Sequence, residues 1–275
     1  MRLKSALRRG VAAAVIAGIV VSSGIPAYAA RWDIADGDIT VKGASDGSGN
    51  YNEVKQGDNE FKKDEGETVI TGKSEEHTVT IDTSGGKVDV TFDDLKIDVS
   101  GKTEGDGSSD SPIDKSNAAV TVKGDHDATI ELDGDNKLKS GSGNAGLEKN
   151  KHESEGTLTI KDDKGKDGSL TAEGGDDGAG IGGGIGSTGS SITIRGGTIE
   201  AVGGSNAAGI GDGAGRASDD TDDPNPGHLY ICGDAEVTAK AGSQTTDAKA
   251  PAIGGSYGEI TSDAGYVKPY ALLAK

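Results

Sequence analysis

Four aspartates lie within five consecutive positions near residue 220, and carboxylates clustered in this way can bind a cation. Calcium takes six to eight oxygen ligands, and one loop that brings several carboxylates together supplies about half of them. We therefore predict a calcium site here, with a solvated acidic loop that keeps the protein soluble as the alternative. The predicted ligands are Asp219, Asp220, Asp222 and Asp223.

A tyrosine, two cations and a threonine occupy related positions in short phrases that alternate apolar and polar residues. An aromatic ring packs against a sugar ring, a hydroxyl hydrogen-bonds to it, and a guanidinium matches the geometry of a uronate carboxylate. We predict that these residues bind carbohydrate, and they are Tyr230, Arg195, Lys161 and Thr193. The alternative is that neighbouring carboxylates such as Glu131 and Glu200 neutralise the cations.

Two further motifs suggest chemistry that the surrounding sequence does not support. Gly178, Gly180 and Gly183 have the spacing of a dinucleotide-binding loop, but a strand is predicted where that loop needs a helix. The carboxylates of Asp93 and Asp94 would suit a glycoside hydrolase. Adjacent residues of a strand point to opposite faces, so this pair could act together only in a turn.

The elements that must position these side chains come from a repeat. A four-residue phrase of apolar, polar and apolar residues, most often closed by a base, starts at positions 39, 79, 120, 158, 192 and 229. Successive copies are therefore 40, 41, 38, 34 and 37 residues apart. A fixed period of this length is typical of repeat architectures, in which each unit packs only against its neighbours.

Two more phrases follow within each better copy. A second strand starts near 129, 169, 198 and 236, and a glycine-rich third phrase carries Leu147, Ile181, Ile210 and Ile253. Three short strands per repeat predict one turn of a solenoid, with equivalent residues stacked about 4.8 Å apart. We therefore predict an all-β fold, a right-handed single-stranded parallel β-helix of about six coils, whose hand follows from the usual preference of parallel crossovers.

Composition excludes several classes of protein. The chain has 275 residues, 47 glycines and nine aromatic residues, which argues against a helical bundle. Its formal charge of −18 argues against nucleic acid as a partner, because a polyanion would be repelled. Cys232 is the only cysteine in the sequence, so no intrachain disulfide can form.

The sequence divides into four segments. A basic start, an apolar run at 11–21 and Ala27-Tyr28-Ala29 are typical of a secretory signal peptide, here 1–29. The remaining segments are an N-terminal cap and first coil at 30–66, the repeats at 67–255 and a C-terminal cap or tail at 256–275. We expect a monomer, secreted by a bacterium or held at its surface, with no membrane span after cleavage of the signal peptide.

Several phrases between residues 78 and 255 resemble a known family. They include the segments 88–97, 116–120 and 129–136. These phrases resemble the bacterial secreted carbohydrate-binding β-helix proteins of clostridial type, which are polysaccharide-lyase-like solenoids. The resemblance implies binding of cellulose or pectin-like polymers and a calcium cofactor. The Ala-Gly-Ile-Gly phrases also resemble repeats in large surface proteins of Gram-positive gut bacteria.

Three functional classes follow from these observations. The first is a noncatalytic extracellular protein that binds plant or mucus polysaccharide with the help of calcium. The second is a structural or adhesion solenoid at the cell surface without glycan specificity. The third is a pectin lyase or polysaccharide hydrolase, in which Arg195 or Lys161 would act as a lyase base, or Asp93 and Asp94 as hydrolytic carboxylates near His126.

Overall fold

The computed structural model describes residues 29–47, 49–64, 66–101, 117–165, 167–215, 227–243, 250–254, 257–263 and 266–270. These residues form 22 strands and one short 3-10 helix, Ile34–Asp36. The strands are β1 (Ala30–Asp33), β2 (Ile39–Asp46), β3 (Gly49–Gln56), β4 (Lys62–Asp64), β5 (Thr68–Ser74), β6 (Val79–Asp82), β7 (Val88–Asp98), β8 (Val120–Lys123), β9 (Ala128–Asp133), β10 (Asp135–Lys139), β11 (Leu147–Glu148), β12 (Leu158–Lys161), β13 (Ser169–Glu173), β14 (Ile181–Gly182), β15 (Ile192–Ile194), β16 (Thr198–Val202), β17 (Ile210–Gly211), β18 (Gly227–Cys232), β19 (Glu236–Lys240), β20 (Ile253–Gly254), β21 (Tyr257–Asp263) and β22 (Tyr266–Tyr270).

The first sheet has 13 strands within the described residues. Its main path runs β21-β18-β15-β12-β9-β7-β10-β13-β16-β19-β22, with β5 beside β7 and β1 beside β5. All of its pairings are parallel. The long strand β7 pairs first with β9 and then with β10, which are separated only by Gly134. Strand β7 therefore joins the two halves of this sheet.

A buried asparagine completes the hydrogen bonding at this junction. The Oδ1 atom of Asn136 accepts the backbone N–H of Leu95 at 2.9 Å. Its Nδ2 atom donates to the carbonyl oxygens of Asp133 and Ser169, each at 3.1 Å. The break between β9 and β10 would otherwise leave backbone groups without a hydrogen-bond partner. The Asn136 side chain supplies that partner, as buried polar groups require.

The second sheet has nine strands in the described part of the chain, in the order β20-β17-β14-β11-β8-β6-β2-β3-β4. Six of its neighbouring pairs are parallel, from β20 to β2, whereas β3 pairs antiparallel with both β2 and β4. The segment from β2 to β4 is therefore an antiparallel unit at one edge of an otherwise parallel sheet.

The predicted all-β class is confirmed, but the predicted right-handed single-stranded parallel β-helix of about six coils is wrong. The described strands form two large sheets, and the smaller sheet is mixed. The repeat copies at 39, 79 and 120 are β2, β6 and β8 of the second sheet, whereas the copies at 158, 192 and 229 belong to the first sheet. Accordingly Val122 pairs with Ile81, while Ile160 pairs with Ile130 and Ile194.

The error has a physical cause. Any strand that buries one face alternates apolar and polar residues with a period of two, whichever sheet it belongs to. The alternation therefore could not assign the copies to separate sheets. The predicted stacking of the second phrase is also wrong for its first copy, near residue 129. Leu170 pairs with Asn136 and Ile199, and not with Ile130. The third phrase is confirmed, since β11, β14, β17 and β20 pair in register.

One hydrophobic cluster fills the space that both sheets share. Inward residues of the first sheet, such as Leu158 and Leu170, belong to the same cluster as Leu147 and Ile181 of the second. Almost all of these side chains are aliphatic, and within the part of the chain that the structure describes Phe92 is the one aromatic side chain that is fully buried. A core of Ile, Leu, Val and Ala matches the scarcity of aromatic residues in the sequence.

The glycine-rich third phrases allow backbones to approach closely. Gly182, Gly211 and Gly254 pair in register, and their φ angles are 134°, 144° and 131°. A Cβ on Gly211 would collide with the carbonyl oxygen of Gly254.

The strand Ile192–Ile194 follows the loop that contains Gly183, so the helix that a dinucleotide-binding loop requires is absent from this described segment. The glycines therefore serve packing of the second sheet.

Replacing Gly211 tests this account. We expect Gly211→Ala to lower the free energy of unfolding by about 2 to 4 kcal/mol, because the substitution adds both a steric collision and an unfavourable φ. Urea denaturation followed by circular dichroism measures the change. Gly47→Ala is the control, because a Cβ there meets nothing within 4 Å. Equal stability of the two variants would contradict the packing role.

Two consecutive ionisable residues are buried, Glu148 at the end of β11 and Lys149 directly after it. The Lys149 ammonium donates to the carbonyl oxygens of Ser154 and Gly156 and to Ser190 Oγ, at 3.3, 2.6 and 2.8 Å. Burial lowers the pKa of Lys149 to about 8. Burial raises the pKa of Glu148 to about 7, against the opposing hydrogen bond from the Ala145 N–H. Lys149 is 1% exposed.

These shifts predict a minimum in stability near neutral pH. Between about pH 4.5 and 7 the unfolded chain loses the Glu148 proton while the folded chain keeps it, so stability falls as pH rises. Between about pH 8 and 10.5 the folded chain has already lost the Lys149 proton, so stability rises with pH. Shifts of this size correspond to about 3 kcal/mol each.

Urea denaturation from pH 4.5 to 10.5 checks the two limbs separately. We expect Glu148→Gln to flatten only the acidic limb and Lys149→Met only the alkaline limb, each relative to the wild-type chain. If the free energy of unfolding of the wild-type chain changes with pH in the same way as that of both variants, Glu148 and Lys149 are not the source of the two limbs.

Candidate functional site

The predicted carbohydrate-binding residues lie together on one face of the first sheet. Thr159, Thr193 and Tyr230 pair in register on the adjacent strands β12, β15 and β18. Thr193 is half-buried and Tyr230 is 37% exposed, one of the few exposed large hydrophobic side chains in the described residues. Arg195 follows β15, and its backbone N–H donates to the carbonyl oxygen of Ile160 at 2.9 Å. We call Thr159, Thr193 and Tyr230 the threonine–tyrosine row.

The two predicted cations differ in their partners. The Lys161 ammonium lies 2.8 Å from a carboxylate oxygen of Glu131 and 2.7 Å from one of Asp163. Burial lowers the pKa of Lys161, but the hydrogen bonds to both carboxylates outweigh it and raise the pKa above its ordinary value. The Arg195 guanidinium is half exposed and lies 3.6 Å from Asp163. Glu131 therefore neutralises Lys161, as the alternative has it, whereas Glu200 pairs with Lys240, which is not one of the predicted cations.

Glu131 also holds the loop between β12 and β13. Its side chain is 5% exposed, and one oxygen accepts the backbone N–H groups of Asp163 and Lys164 at 2.7 and 2.9 Å. The other oxygen pairs with Lys161. Both oxygens of one buried carboxylate thus fix the start of the loop and the position of the Lys161 ammonium.

A polar groove lies beside this loop, and we call it the β3 groove. Strand β3 supplies Asn50, Tyr51 and Asn52, and the first sheet supplies the opposite wall. The groove has a volume of about 230 Å³. Its charged lining residues are three carboxylates and three ammonium groups, namely Glu67, Asp89, Glu131, Lys87, Lys161 and Lys164.

Each ammonium group in the β3 groove faces a carboxylate of the same groove. Lys87 lies 3.0 Å from Asp89, Lys161 lies 2.8 Å from Glu131, and Lys164 pairs with Glu67. Burial raises the pKa of Glu67, but hydrogen bonds from Lys164 and Thr91 outweigh it and lower the pKa below its ordinary value. The lining of the groove therefore has no net charge, in a chain of formal charge −18.

A buried network fixes strand β3 against the first sheet. The Asn52 amide donates to Thr68 Oγ1 at 2.8 Å and to the carbonyl oxygen of Asp89 at 2.7 Å. The Thr68 hydroxyl donates to Asp64 at 2.9 Å, and the Trp32 indole N–H donates to the same carboxylate oxygen at 3.2 Å. The wall of the groove is therefore anchored by hydrogen bonds from β1, β4 and β5.

Sequence reasoning missed the β3 groove. The sequence predicts an N-terminal cap and first coil at 30–66, and nothing in it indicated that β3 would form an antiparallel strand in which Asn52 and Val54 are buried. The one usable signal was Tyr51, an aromatic residue in a polar segment of a chain with few aromatics. Its ring has the Lys63 ammonium 4.3 Å from its centroid.

The predicted calcium ligands Asp219, Asp220, Asp222 and Asp223 lie outside the described residues. Among the residues that the structure describes, no group of three or more His, Cys, Asp and Glu side chains is arranged to hold a metal ion. Calcium at 219–223 therefore stays a prediction.

The residues considered for hydrolysis make other contacts. Asp93 lies 2.6 Å from the Arg31 guanidinium, and Asp94 accepts the backbone N–H of Asp135 at 3.1 Å. The His126 ring nitrogen Nδ1 lies 2.8 Å from the carbonyl oxygen of Thr83. Burial and then the charge of Asp93 raise the pKa of Asp133, which pairs with Asp93 in register.

Comparison with known proteins adds no relative, since no family model, curated protein or solved structure matches the chain. The resemblance to clostridial carbohydrate-binding proteins therefore stays a prediction. No helix within the described ranges is long and apolar enough to cross a membrane.

Replacing Glu131 tests its role in the loop. We expect Glu131→Ala to lower the free energy of unfolding by about 1 to 3 kcal/mol, because two backbone N–H groups and Lys161 lose a buried partner. Hydrogen exchange at the amides of Asp163 and Lys164 should accelerate in this variant.

Glu200→Ala is the matched control for this substitution. Glu200 pairs with Lys240 where both side chains are more than 40% exposed, so its loss should cost less than about 1 kcal/mol. Equal losses of stability for the two variants, with unchanged exchange at Asp163, would contradict the anchoring role of Glu131.

Proposed function

We propose that this chain is a noncatalytic extracellular protein that binds polysaccharide on the outer face of the first sheet. The observation that carries the proposal is the threonine–tyrosine row, in which Tyr230 is exposed beside Thr193 on the neighbouring strand. An exposed tyrosine ring flanked by hydroxyl groups can pack against one sugar ring and hydrogen-bond to the next.

The spacing of the row suits a polymer better than a small ligand. Parallel neighbouring strands lie about 4.8 Å apart, a distance close to the length of one pyranose residue along its chain. Thr159, Thr193 and Tyr230 therefore offer one contact per sugar residue. Because the row contacts successive sugar residues of the polymer, each additional sugar residue that is bound raises the affinity.

Arg195 supplies the selectivity for acidic sugars in this proposal. Its guanidinium is half exposed and lies 3.6 Å from the Asp163 carboxylate. A uronate carboxylate can therefore approach it and form two parallel hydrogen bonds. Lys161 has two carboxylates within 3 Å, so it is already neutralised and selects less for a uronate than Arg195 does.

Calcium assistance remains part of the proposal through Asp219, Asp220, Asp222 and Asp223. A divalent cation bound there would offset part of the negative charge of the chain and favour binding of an acidic polymer. Binding in the presence and absence of a chelator tests this part by itself.

Affinity electrophoresis through gels that contain pectin, cellulose derivatives or mucin tests the proposed function. We expect the wild-type chain to be retarded, Tyr230→Ala to bind about tenfold more weakly with every polymer, and Arg195→Gln to lose affinity only with uronate polymers. Thr198→Ala is the control, because Thr198 is exposed on β16 and not in the row.

Two results would decide against this function. Absence of retardation by every polymer would favour a structural or adhesion role without glycan specificity. Release of reducing ends or unsaturated uronates from a bound polymer would establish a hydrolase or a lyase instead.

A further inference from the structure

We propose that the β3 groove is a second sugar subsite, which takes one uncharged pyranose residue at the end of the polysaccharide bound by the threonine–tyrosine row. The inference rests on the proposed function. It adds a second binding site, places one end of the polymer in that site, and states that the sugar bound there is uncharged.

The pairing of charges in the groove selects for an uncharged ligand. Lys87, Lys161 and Lys164 each have a carboxylate partner within the groove. A carboxylated sugar would gain little from ammonium groups that are already neutralised, and it would be repelled by the carboxylate beside each of them. An uncharged sugar avoids this cost, because its hydroxyl groups can add to the pairs that already exist.

The chemistry of the pairs matches neighbouring hydroxyl groups. An ammonium group has three N–H donors and a carboxylate accepts about four hydrogen bonds, so an ion pair retains capacity on both sides. Two adjacent hydroxyls of a pyranose can accept from the ammonium and donate to the carboxylate at the same time. Lys87 and Asp89, which are both exposed and 3.0 Å apart, provide such a pair.

The size and the wall of the groove fit a single ring. Its volume of about 230 Å³ lies below the roughly 300 to 1,000 Å³ of sites for drug-sized ligands. Tyr51 supplies an aromatic surface that lines the groove, and the Lys63 ammonium 4.3 Å from its centroid helps to hold the ring. Asn52 anchors this wall through Thr68 and Asp89.

The groove and the row form one continuous track. Lys161 lines the groove and lies on β12, the strand that also carries Thr159 of the row. From Asp89 on β7 to Tyr230 on β18 the path crosses β9, β12 and β15, and therefore makes four steps between strands. Four steps cover roughly 19 Å, the length of about four pyranose residues.

Binding of short sugars separates the groove from the row. The probes are glucose, galactose and xylose, tetrasaccharides of neutral glucan and xylan, and tetragalacturonate. We expect the neutral monosaccharides to shift the backbone amide signals of Asn50, Tyr51 and Asp89 in NMR spectra. We expect Tyr51→Ala to abolish these shifts and to weaken neutral tetrasaccharide binding about tenfold, with polymer binding reduced but retained.

A milder substitution protects the test against a folding defect. Lys87→Gln removes one ammonium from the groove and should weaken neutral tetrasaccharide binding about threefold or more. Lys73→Gln is the matched control, because Lys73 is exposed, lies 3.7 Å from Glu75 and does not line the groove.

The possible failures are distinguishable. If the monosaccharides shift no groove amide and Lys87→Gln behaves like Lys73→Gln, the groove proposal is overturned while polymer binding to the row stands. If tetragalacturonate displaces the neutral sugars from the groove at equal concentration, the claimed preference for an uncharged ring is overturned. If the wild-type chain binds no polymer, both the proposed function and this inference are overturned.

Discussion

Parallel hydrogen bonding between strands that are 22 to 43 residues apart in the sequence is the constraint on which the rest of this structure depends. It sets neighbouring strands about 4.8 Å apart and stacks like residues directly on one another. Leu158, Ile192 and Leu229 form one such stack inside the first sheet. The same register places Thr159, Thr193 and Tyr230 in a row outside it. Core and candidate binding face are therefore two consequences of one pairing.

Close backbone approach explains why so much of the chain is glycine. Where the stacked glycines of β14, β17 and β20 meet, a side chain on Gly182 or Gly211 would collide with the carbonyl oxygen of the next glycine in the stack. The narrow core that results is filled by aliphatic residues and leaves little room for aromatic rings. Tyr51 and Tyr230 accordingly lie at the surface, where aromatic rings can contact a ligand.

Buried charge in this protein has a local structural purpose in each case. Glu131 binds two backbone N–H groups and Lys161, and Lys149 binds two carbonyl oxygens and a hydroxyl. Glu131 thereby fixes the loop at the edge of the β3 groove, whereas Lys149 holds the segment between β11 and β12. The ammonium groups that line the β3 groove are consequently held in place before any ligand arrives, which lowers the entropic cost of binding.

The sequence by itself determined the all-β class, the register of the glycine-rich strands and the common face of Thr193 and Tyr230, because these follow from local alternation and from spacing along the chain. Only the tertiary structure decided which repeat copies share a sheet, since alternation has the same period in both sheets. It alone brought Glu67 to Lys164, 97 residues away, and joined β3 to the first sheet through Asn52. Such contacts depend on how the sheets pack together, and no local pattern of residue types encodes that packing.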